Sequence, residues 1–315
     1  MHRRQLLLSA LAAAPSVGWA QARAIRLIVP FPAGGATDLL ARTLSTQLSK
    51  QLGQNVVVDN KPGAGGSLGA DLAAKAAPDG QTLLLSTTST HSIGPALGAR
   101  LPYDVASDFT PIAHLGDAPS VMLVPNGAPA TARDWIAMAR AKPGQLNYAS
   151  SGNGTIVQLT AELFKAQAGL FIVHIPYRGT ALAIPDLVSG KVDVLFDSLP
   201  TGLPHVRDGR LRALAVTSLK RSPLAPDIPA LAEVLPGFES NTWFGLYGPK
   251  GLPADAVLRF NQAANAALAD PEMRERLARL GIEPRGGTPQ AFAQMTERDR
   301  ARWKRIITER RITPD

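Results

Sequence analysis

The sequence predicts an α/β protein built as two lobes, and three observations support this. Short apolar runs typical of buried strands alternate with segments whose apolar residues recur at helical spacing. Such alternation is typical of a parallel sheet with helical crossovers. A strand, a glycine-rich turn and a helix follow one another twice, near residue 30 and near residue 150. A length of 315 residues accommodates two domains.

Composition excludes several function classes. The chain has no cysteine, which rules out disulfides, thiol catalysis and cysteine-ligated zinc. Its four histidines beyond the N-terminal segment lack the close spacing of metal sites, and no P-loop or G-x-G-x-x-G motif occurs, so we expect no cofactor and no metal. The formal net charge of +8 is weak evidence for any partner. The basic C-terminal residues alternate with acidic ones, so we expect no nucleic acid, and we expect a monomer.

Residues 1–22 have the three-part pattern of a secretory signal peptide. A basic start at Arg3 and Arg4 precedes an apolar core and a region of small residues, and cleavage after Ala20 or Ala22 fits. The apolar core is shorter than the roughly 20 residues that span a bilayer. The arginine pair also fits a twin-arginine signal, so both export routes stay open. We therefore expect an exported, periplasmic protein.

The first lobe is predicted from three strands and the segments after them. The strands are residues 25–29, 55–59 and 82–86. A helix follows the first strand, because leucines recur every fourth residue on one face, at Leu40, Leu44, Leu48 and Leu52. A glycine-rich turn at 61–69 leads into a helix over 70–77, and a polar loop follows the third strand at 87–91.

A fourth strand, residues 121–124, ends the first segment of lobe 1. The second lobe is predicted from the next four strands and their helices, and these strands are residues 146–149, 171–176, 192–196 and 211–217. Thr131 and Asp134 form a capping-box pattern before one helix. The turn-rich passage after 124 and the strand at 243–247 mark the two crossings between lobes. We assign 23–124 and 243–315 to lobe 1 and 125–242 to lobe 2, with helices beyond Pro253 capped at Asp270 and Thr288.

The turn Ala33–Gly35 is the first candidate binding element. It joins a strand to a helix N-terminus, where unpaired amides and the positive end of the helix dipole favour an anion. A tight turn without a ligand is the alternative, but the second turn at 150–155 lies in the equivalent place. Because ligands in such sheets bind at the carboxyl ends of strands, we expect the two turns to grip one carboxylate. Thr87 and Thr88 begin the polar loop at the carboxyl end of the third strand and join the candidate site.

Asp38, Asp197 and His91 each have more than one interpretation. Asp38 either stabilises the first turn of its helix or contacts the ligand. Asp197 ends a strand, where it either caps the following helix or receives a ligand ammonium, or orients Tyr177 or Thr88. His91 either lines the cleft or begins a helix.

A hydrolase is the alternative from another class. Residues 65–69 match G-x-S-x-G, the pattern around a nucleophilic serine, here Ser67. That motif requires a strand directly before it, whereas Lys61, Pro62 and Gly63 precede it here. The motif therefore gives little support for catalysis, and we expect no enzyme.

Several motifs in one order resemble the Bug family, the extracytoplasmic solute receptors of tripartite tricarboxylate transporters. They are VPFPAGGATD, NKPGAGGSLGADLAAKAAPDGQTLL, SSGNGT, VHIPYRGTALAIPDLVSGKVDVLFD and PHVRDGRLRALAVTS. The resemblance implies a periplasmic-binding-protein fold of type II, a small carboxylated solute such as an organic, amino or aromatic acid, and a membrane permease as partner. It also implies a set of ligand-binding residues: Phe31, Ala33, Gly34, Gly35, Asp38, Ser150, Ser151, Gly152, Gly154, Thr155, Tyr177, Gly179 and Asp197.

The chain departs from the family pattern near one turn. Ile156 and Gln158 stand where a serine and a histidine are common, Ser89 where a glycine is usual and Leu182 where a proline is usual. The first two changes alter the polar groups available to the solute. A receptor that signals through a partner in place of a permease fits the same sequence.

Overall fold

The computed structural model describes residues 23–98 and 100–312. The predicted signal peptide, residues 1–22, lies outside the described residues. The described strands are β1 (Ile25–Val29), β2 (Val56–Asn60), β3 (Thr82–Thr87), β4 (Phe109–Pro125), β5 (Asn147–Ser150), β6 (Val173–Pro176), β7 (Val194–Ser198), β8 (Leu211–Val216), β9 (Asn241–Pro249) and β10 (Glu283–Pro284).

The described α-helices lie mostly between these strands. They are α1 (Ala36–Leu52), α2 (Ser67–Ala74), α3 (Gly94–Ala96), α4 (Ala132–Ala141), α5 (Ile156–Ala168), α6 (Thr180–Val188), α7 (Leu199–Arg207), α8 (Ala254–Ala269), α9 (Pro271–Arg279) and α10 (Pro289–Glu309). Single helical turns at Ala64–Gly66, Ser89–Ile93 and Leu231–Glu233 complete the set. None of the helices in the described ranges is long and apolar enough to cross a membrane.

The strands form two sheets, which confirms the predicted α/β fold with two lobes. In the first sheet β1 pairs in parallel with β2 and β3, and β9 then pairs antiparallel with β3 and β4. In the second sheet β5 pairs in parallel with β6 and β7, and β4 pairs antiparallel with β7 and β8. Parts of β4 and β9 were predicted as strands, at 121–124 and 243–247, but their antiparallel pairing was not. They are the segments that leave one lobe and return to it, so no helical crossover sets their direction.

Strand β4 belongs to both sheets. Its residues from Phe109 to Pro119 pair with β9, and those from Ser120 to Pro125 pair with β7 and β8. The chain thus changes sheet between Pro119 and Ser120, a few residues before the crossing predicted at 125. The second crossing lies beside it, because the Ser120 amide donates to Thr217 Oγ1 at 2.8 Å and the Ser240 amide donates to the Thr217 carbonyl at 3.0 Å.

The buried face of α1 and the N-caps of three other helices agree with the predictions from sequence. Leu40, Leu44 and Leu48 are fully buried against the first sheet, which confirms the leucine stripe of α1. The caps at Thr131, Asp270 and Thr288 are also confirmed, since each side chain accepts a hydrogen bond from the amide three residues on.

Helix α10 packs against both lobes. Phe292, near its start, lies in an aromatic cluster with Trp243 and Tyr247 of β9. Trp303 and Ile307, about three and four turns further on, pack into the core of the second lobe. The C-terminal helix therefore joins the two cores on one side of the molecule.

Gly245 is the position in β9 that lets α10 approach the sheet. A Cβ atom built there would lie 2.0 Å from Cζ of Phe292, whose ring is buried between Tyr247 and His114. We expect Gly245→Ala to lower the free energy of unfolding by about 2 kcal/mol, because a buried ring in a packed cluster must move. Urea unfolding measures it. Gly127→Ala, whose Cβ meets no atom within 4 Å, should leave stability nearly unchanged, and an equal loss in both variants would contradict this account.

Candidate ligand-binding cleft

The first turn of the site connects β1 to α1. Gly34 has φ +84°, a left-handed conformation that favours glycine, and its amide donates to Asp38 Oδ2 at 2.9 Å. Gly35 is the N-cap residue of α1, and no side chain caps the helix. The first amides of α1 therefore keep their hydrogen-bonding capacity at the carboxyl end of β1.

Asp38 is a buried support for this turn and does not line the cleft. Its carboxylate accepts hydrogen bonds from the Gly34 amide, from Arg42 Nε at 2.8 Å and from Asn60 Nδ2 at 3.0 Å. Burial by itself would raise the pKa of Asp38, but these hydrogen bonds together hold that pKa below its usual value. Asn60 also donates to the Phe31 carbonyl at 3.1 Å, a role that the sequence did not reveal.

The second turn connects β5 to α5 and is held by its own side chains. The Gly152 amide donates to Ser150 Oγ at 3.1 Å, and the Thr155 hydroxyl donates to the Gly152 carbonyl at 2.7 Å. The Gly154 amide donates to Gln158 Oε1 at 2.7 Å. Gly152 and Gly154 have φ values of +121° and +73°, which only glycine adopts easily. Most polar groups of this turn are thus satisfied within the protein.

His174 supports the second turn from the neighbouring strand. Its Nε2 lies 2.6 Å from Ser150 Oγ, and its Nδ1 lies 3.4 Å from Gln158 Nε2. The ring stacks on Tyr148 at a centroid distance of 4.7 Å. The sequence placed His174 in a strand but carried no signal for its bond to the turn, because the contact depends on the pairing of β5 with β6.

The two lobes touch where their turns meet. A Cβ on Gly65 would lie 2.5 Å from the Asn153 carbonyl oxygen, and one on Gly179 would lie 3.0 Å from Pro32 Cγ. Both glycines have positive φ. Glycine is required at these places because the other lobe's backbone or ring occupies the space that a side chain would need.

One hydrogen bond crosses the cleft directly. The amide of Ile156, the first residue of α5, donates to Ser89 Oγ of the first lobe at 2.9 Å. Both residues are more than nine-tenths buried. The structure therefore shows the lobes closed on each other at this point.

The turns of both lobes surround a cleft with a volume of about 70 Å³ that opens to solvent. Seven residues predicted for the site line it: Phe31, Ala33, Gly35, Thr87, Ser151, Gly179 and Asp197. Eleven lining residues were not predicted: Pro32, Ala36, Thr37, Ser89, Ile156, Val157, Thr180, Ala181, Ser198, Thr242 and Phe244.

The other predicted residues stand behind the cleft surface. They are Gly34, Asp38, Thr88, Ser150, Gly152, Gly154, Thr155 and Tyr177. Thr88 Oγ1 accepts from the Trp243 amide at 2.9 Å, and the Tyr177 hydroxyl donates to Asp186 at 2.8 Å. The hypothesis that Asp197 orients Tyr177 or Thr88 is therefore wrong. His91 is buried in the helical turn Ser89–Ile93 and does not line the cleft, so the interpretation as a helix start applies.

Asp197 is a buried acid on the floor of the cleft, beside the start of α7. It accepts hydrogen bonds from the Ser198 amide at 2.9 Å, from the Thr201 hydroxyl at 2.7 Å and from Thr180. Burial raises the pKa of Asp197 despite these three hydrogen bonds, because they only partly offset the loss of water. It therefore bonds to the Thr201 side chain in the first turn of α7 and also lines the cleft. The capping interpretation is wrong, because Ser198 is the N-cap residue of α7 and no side chain caps that helix.

The cleft has little formal charge. Among its described lining residues Asp197 is the one charged side chain, and no Lys, Arg or His is present. Within residues 23–98 and 100–312 no cluster of His, Asp or Glu could hold a metal ion. An anion bound here would be held by amides, hydroxyls and helix N-termini.

Ser67 has no catalytic setting. It is the first residue of α2, its hydroxyl donates to the Ala64 carbonyl at 2.8 Å, and a helical turn separates it from β2. The strand that a nucleophile elbow requires is missing directly before it.

Two α/β lobes, two adjacent crossings and a cleft between the lobes define the class of periplasmic solute-binding proteins. The family model described as "Tripartite tricarboxylate transporter family receptor" matches residues 40–312. The chain belongs to this family, so it is a solute receptor and not an enzyme, and the predicted family and fold are confirmed.

Relatives and solved structures agree with this assignment. The chain is 38% identical to protein BugT of Bordetella pertussis over 302 residues, covering 95% of this chain and 93% of BugT. A structure from R. palustris, solved with adipate, is 35% identical with a TM-score of 0.90, covering 94% of this chain and 100% of that chain. MatC from Rhodopseudomonas palustris, solved with bound malate, is 33% identical with a TM-score of 0.86, covering 91% and 99%.

A substitution of Asp38 tests how much its carboxylate stabilises the first turn. We expect Asp38→Asn to lower the free energy of unfolding by about 1–2 kcal/mol at pH 7, because the buried charge that accepts from Gly34, Arg42 and Asn60 is removed. Asp71→Asn is the matched control, since Asp71 pairs with Lys75 at the same i,i+4 spacing on a more exposed face, and its loss should be smaller. Urea unfolding measures both.

The difference in stability between the protein and Asp38→Asn should depend on pH. Because folding lowers the pKa of Asp38, its stabilisation is present above the unfolded value of about 3.9 and is lost as the pH falls through the folded value. The difference between the protein and Asp38→Asn should therefore shrink below about pH 4. A difference that stays constant into that range would contradict the role assigned to the carboxylate.

Proposed function

We propose that this protein is exported to the periplasm, captures a small solute through one carboxylate and delivers it to the membrane permease of a tripartite transporter. The predicted signal peptide at residues 1–22 supports export. The family described for the chain supports the transporter partnership. The adipate and malate held by two structural neighbours support a carboxylated solute.

The main support for a carboxylate site is a set of backbone amides around the cleft that have no hydrogen-bond acceptor among the described residues. The amides of Gly34, Gly152 and Gly154 donate to side chains of their own turns. Those of Ala33, Gly35 and Ser151 make no hydrogen bond within the described residues, and all three residues line the cleft. Two belong to the first lobe and one to the second, so one carboxylate bonded to both sets would connect the lobes.

Two hydroxyl residues of the second lobe that were predicted to bind the ligand do not face the cleft. Ser150 and Thr155 already bond to His174 and Gly152 and lie behind the surface. Ser151 lines the cleft and is the hydroxyl that we now assign to the solute. Charge-assisted bonds from amides and a hydroxyl suit a carboxylate at distances of about 2.7–2.9 Å.

A thermal-shift panel tests the solute class. We expect a carboxylate to raise the Tm of the mature protein. At a concentration of 100 times its Kd, the solute should raise the free energy of unfolding by about 2.7 kcal/mol. The panel contains mono- and dicarboxylates, amino acids and aromatic acids, and the neutral amide of each acid is its matched control. Stabilisation by a neutral amide, with none by any acid, would refute the carboxylate site.

Removal of the Ser89–Ile156 hydrogen bond tests whether this bond stabilises the closed form. We expect Ser89→Ala to favour the open form without solute, because the Ile156 amide loses its acceptor across the cleft. Small-angle scattering should show a larger radius of gyration, and solute affinity should fall by about 2–10-fold. Ser189→Ala, which removes an exposed hydroxyl bonded within the second lobe, is the control. Unchanged size and affinity in Ser89→Ala would show that this bond does not hold the lobes together.

A further inference from the structure

The side chains around the cleft form an apolar wall contributed by both lobes. Its members are Phe31, Pro32, Ala33, Ala36, Ile156, Val157, Ala181 and Phe244. The Phe31 ring is held over Gly66, where a Cβ would lie 3.0 Å from its Cζ atom. A solute between the lobes would therefore contact aromatic and branched aliphatic carbon from both sides.

The start of α5 presents apolar side chains to the cleft. Ile156 and Val157 occupy its first turn, line the cleft and are more than nine-tenths buried. The Ile156 amide is already bonded to Ser89 Oγ. A helix N-terminus commonly binds an anion, but here the first amide is occupied and a branched aliphatic side chain takes the adjacent space.

Several polar groups of the cleft are also satisfied by the protein. Thr87 Oγ1 accepts from the Ser89 amide at 3.3 Å, and Ser89 Oγ accepts from Ile156. Asp197 accepts three hydrogen bonds. Thr242 is the exception, since its buried hydroxyl has no partner among the described residues.

Charge limits what the cleft can accept beyond one carboxylate. A second carboxylate would lose water without meeting a cation, because no described lining residue is basic and Asp197 is acidic. Burying an unpaired carboxylate is strongly unfavourable. An apolar group in the same place would instead gain from contact with Ile156, Val157 and Phe244.

We infer that the solute is a monocarboxylate with an apolar body, best fitted by an aromatic or alicyclic acid, and that Ile156 sets this preference. The inference rests on the proposed function, because the carboxylate is the group held by the free amides. Thr242 then has room to make one hydrogen bond to a polar substituent on the ring. The preference differs from the dicarboxylates, adipate and malate, that the two neighbours hold.

Calorimetric titration of the full mature protein with matched pairs of acids tests the solute class. The pairs are 4-methylbenzoate with terephthalate and hexanoate with adipate, each exchanging one methyl group for a carboxylate. We expect the monocarboxylate of at least one pair to bind at least tenfold more tightly than its partner. Equal binding, or tighter binding of both dicarboxylates, would overturn the inference while leaving the carboxylate receptor intact. If none of the four acids binds but a neutral solute does, the proposed function fails instead.

A substitution tests the role of Ile156. Ile156→Ser should weaken the preferred monocarboxylate about tenfold and reduce its advantage over the dicarboxylate, because a hydroxyl replaces the aliphatic wall. Ile156→Val should keep the preference. Leu258→Ser, an exposed apolar-to-serine change on α8, is the control for solubility and folding. An unchanged preference in a folded Ile156→Ser protein, checked by its Tm, would remove Ile156 as the selecting residue.

Discussion

The hydrogen bonding of one continuous strand to two sheets is the constraint on which this structure depends. Strand β4 pairs with β9 in the first lobe and with β7 and β8 in the second, so the lobes share backbone rather than a flexible linker. The second crossing is bonded to the same strand through Thr217. Because both crossings lie side by side, they connect the lobes at one place and leave the two turns facing each other.

The two facing turns solve the same problem in different ways. Each must keep a glycine-rich backbone rigid while leaving amides free. The first turn uses a buried carboxylate, Asp38, held by Arg42 and Asn60. The second uses the side chains of Ser150, Gln158 and His174. Preorganised amides suit anion binding without a cationic side chain, because their dipoles need not rearrange when the charge arrives.

The start of α5 contributes both to the contact between the lobes and to the apolar wall of the cleft. The bond from Ile156 to Ser89 connects the lobes, and the side chain of the same residue forms part of the apolar wall. A solute that fills the wall therefore acts on the segment that joins the lobes. Only contacts made better in the closed form can shift the equilibrium toward it, and the bond from Ile156 to Ser89 is one such contact.

The sequence by itself determined the local units: the strands, the leucine stripe of α1, the helix caps and both glycine turns. Each depends on residues a few positions apart, so periodicity and capping rules suffice. Tertiary structure alone decided where β4 changes sheet, which polar residues face the cleft, and that Thr242, Phe244 and Ser89 belong to it. These depend on contacts between residues far apart in the chain, such as Ser89 with Ile156, 67 positions apart, or Thr88 with Trp243, 155 positions apart, for which no local pattern exists.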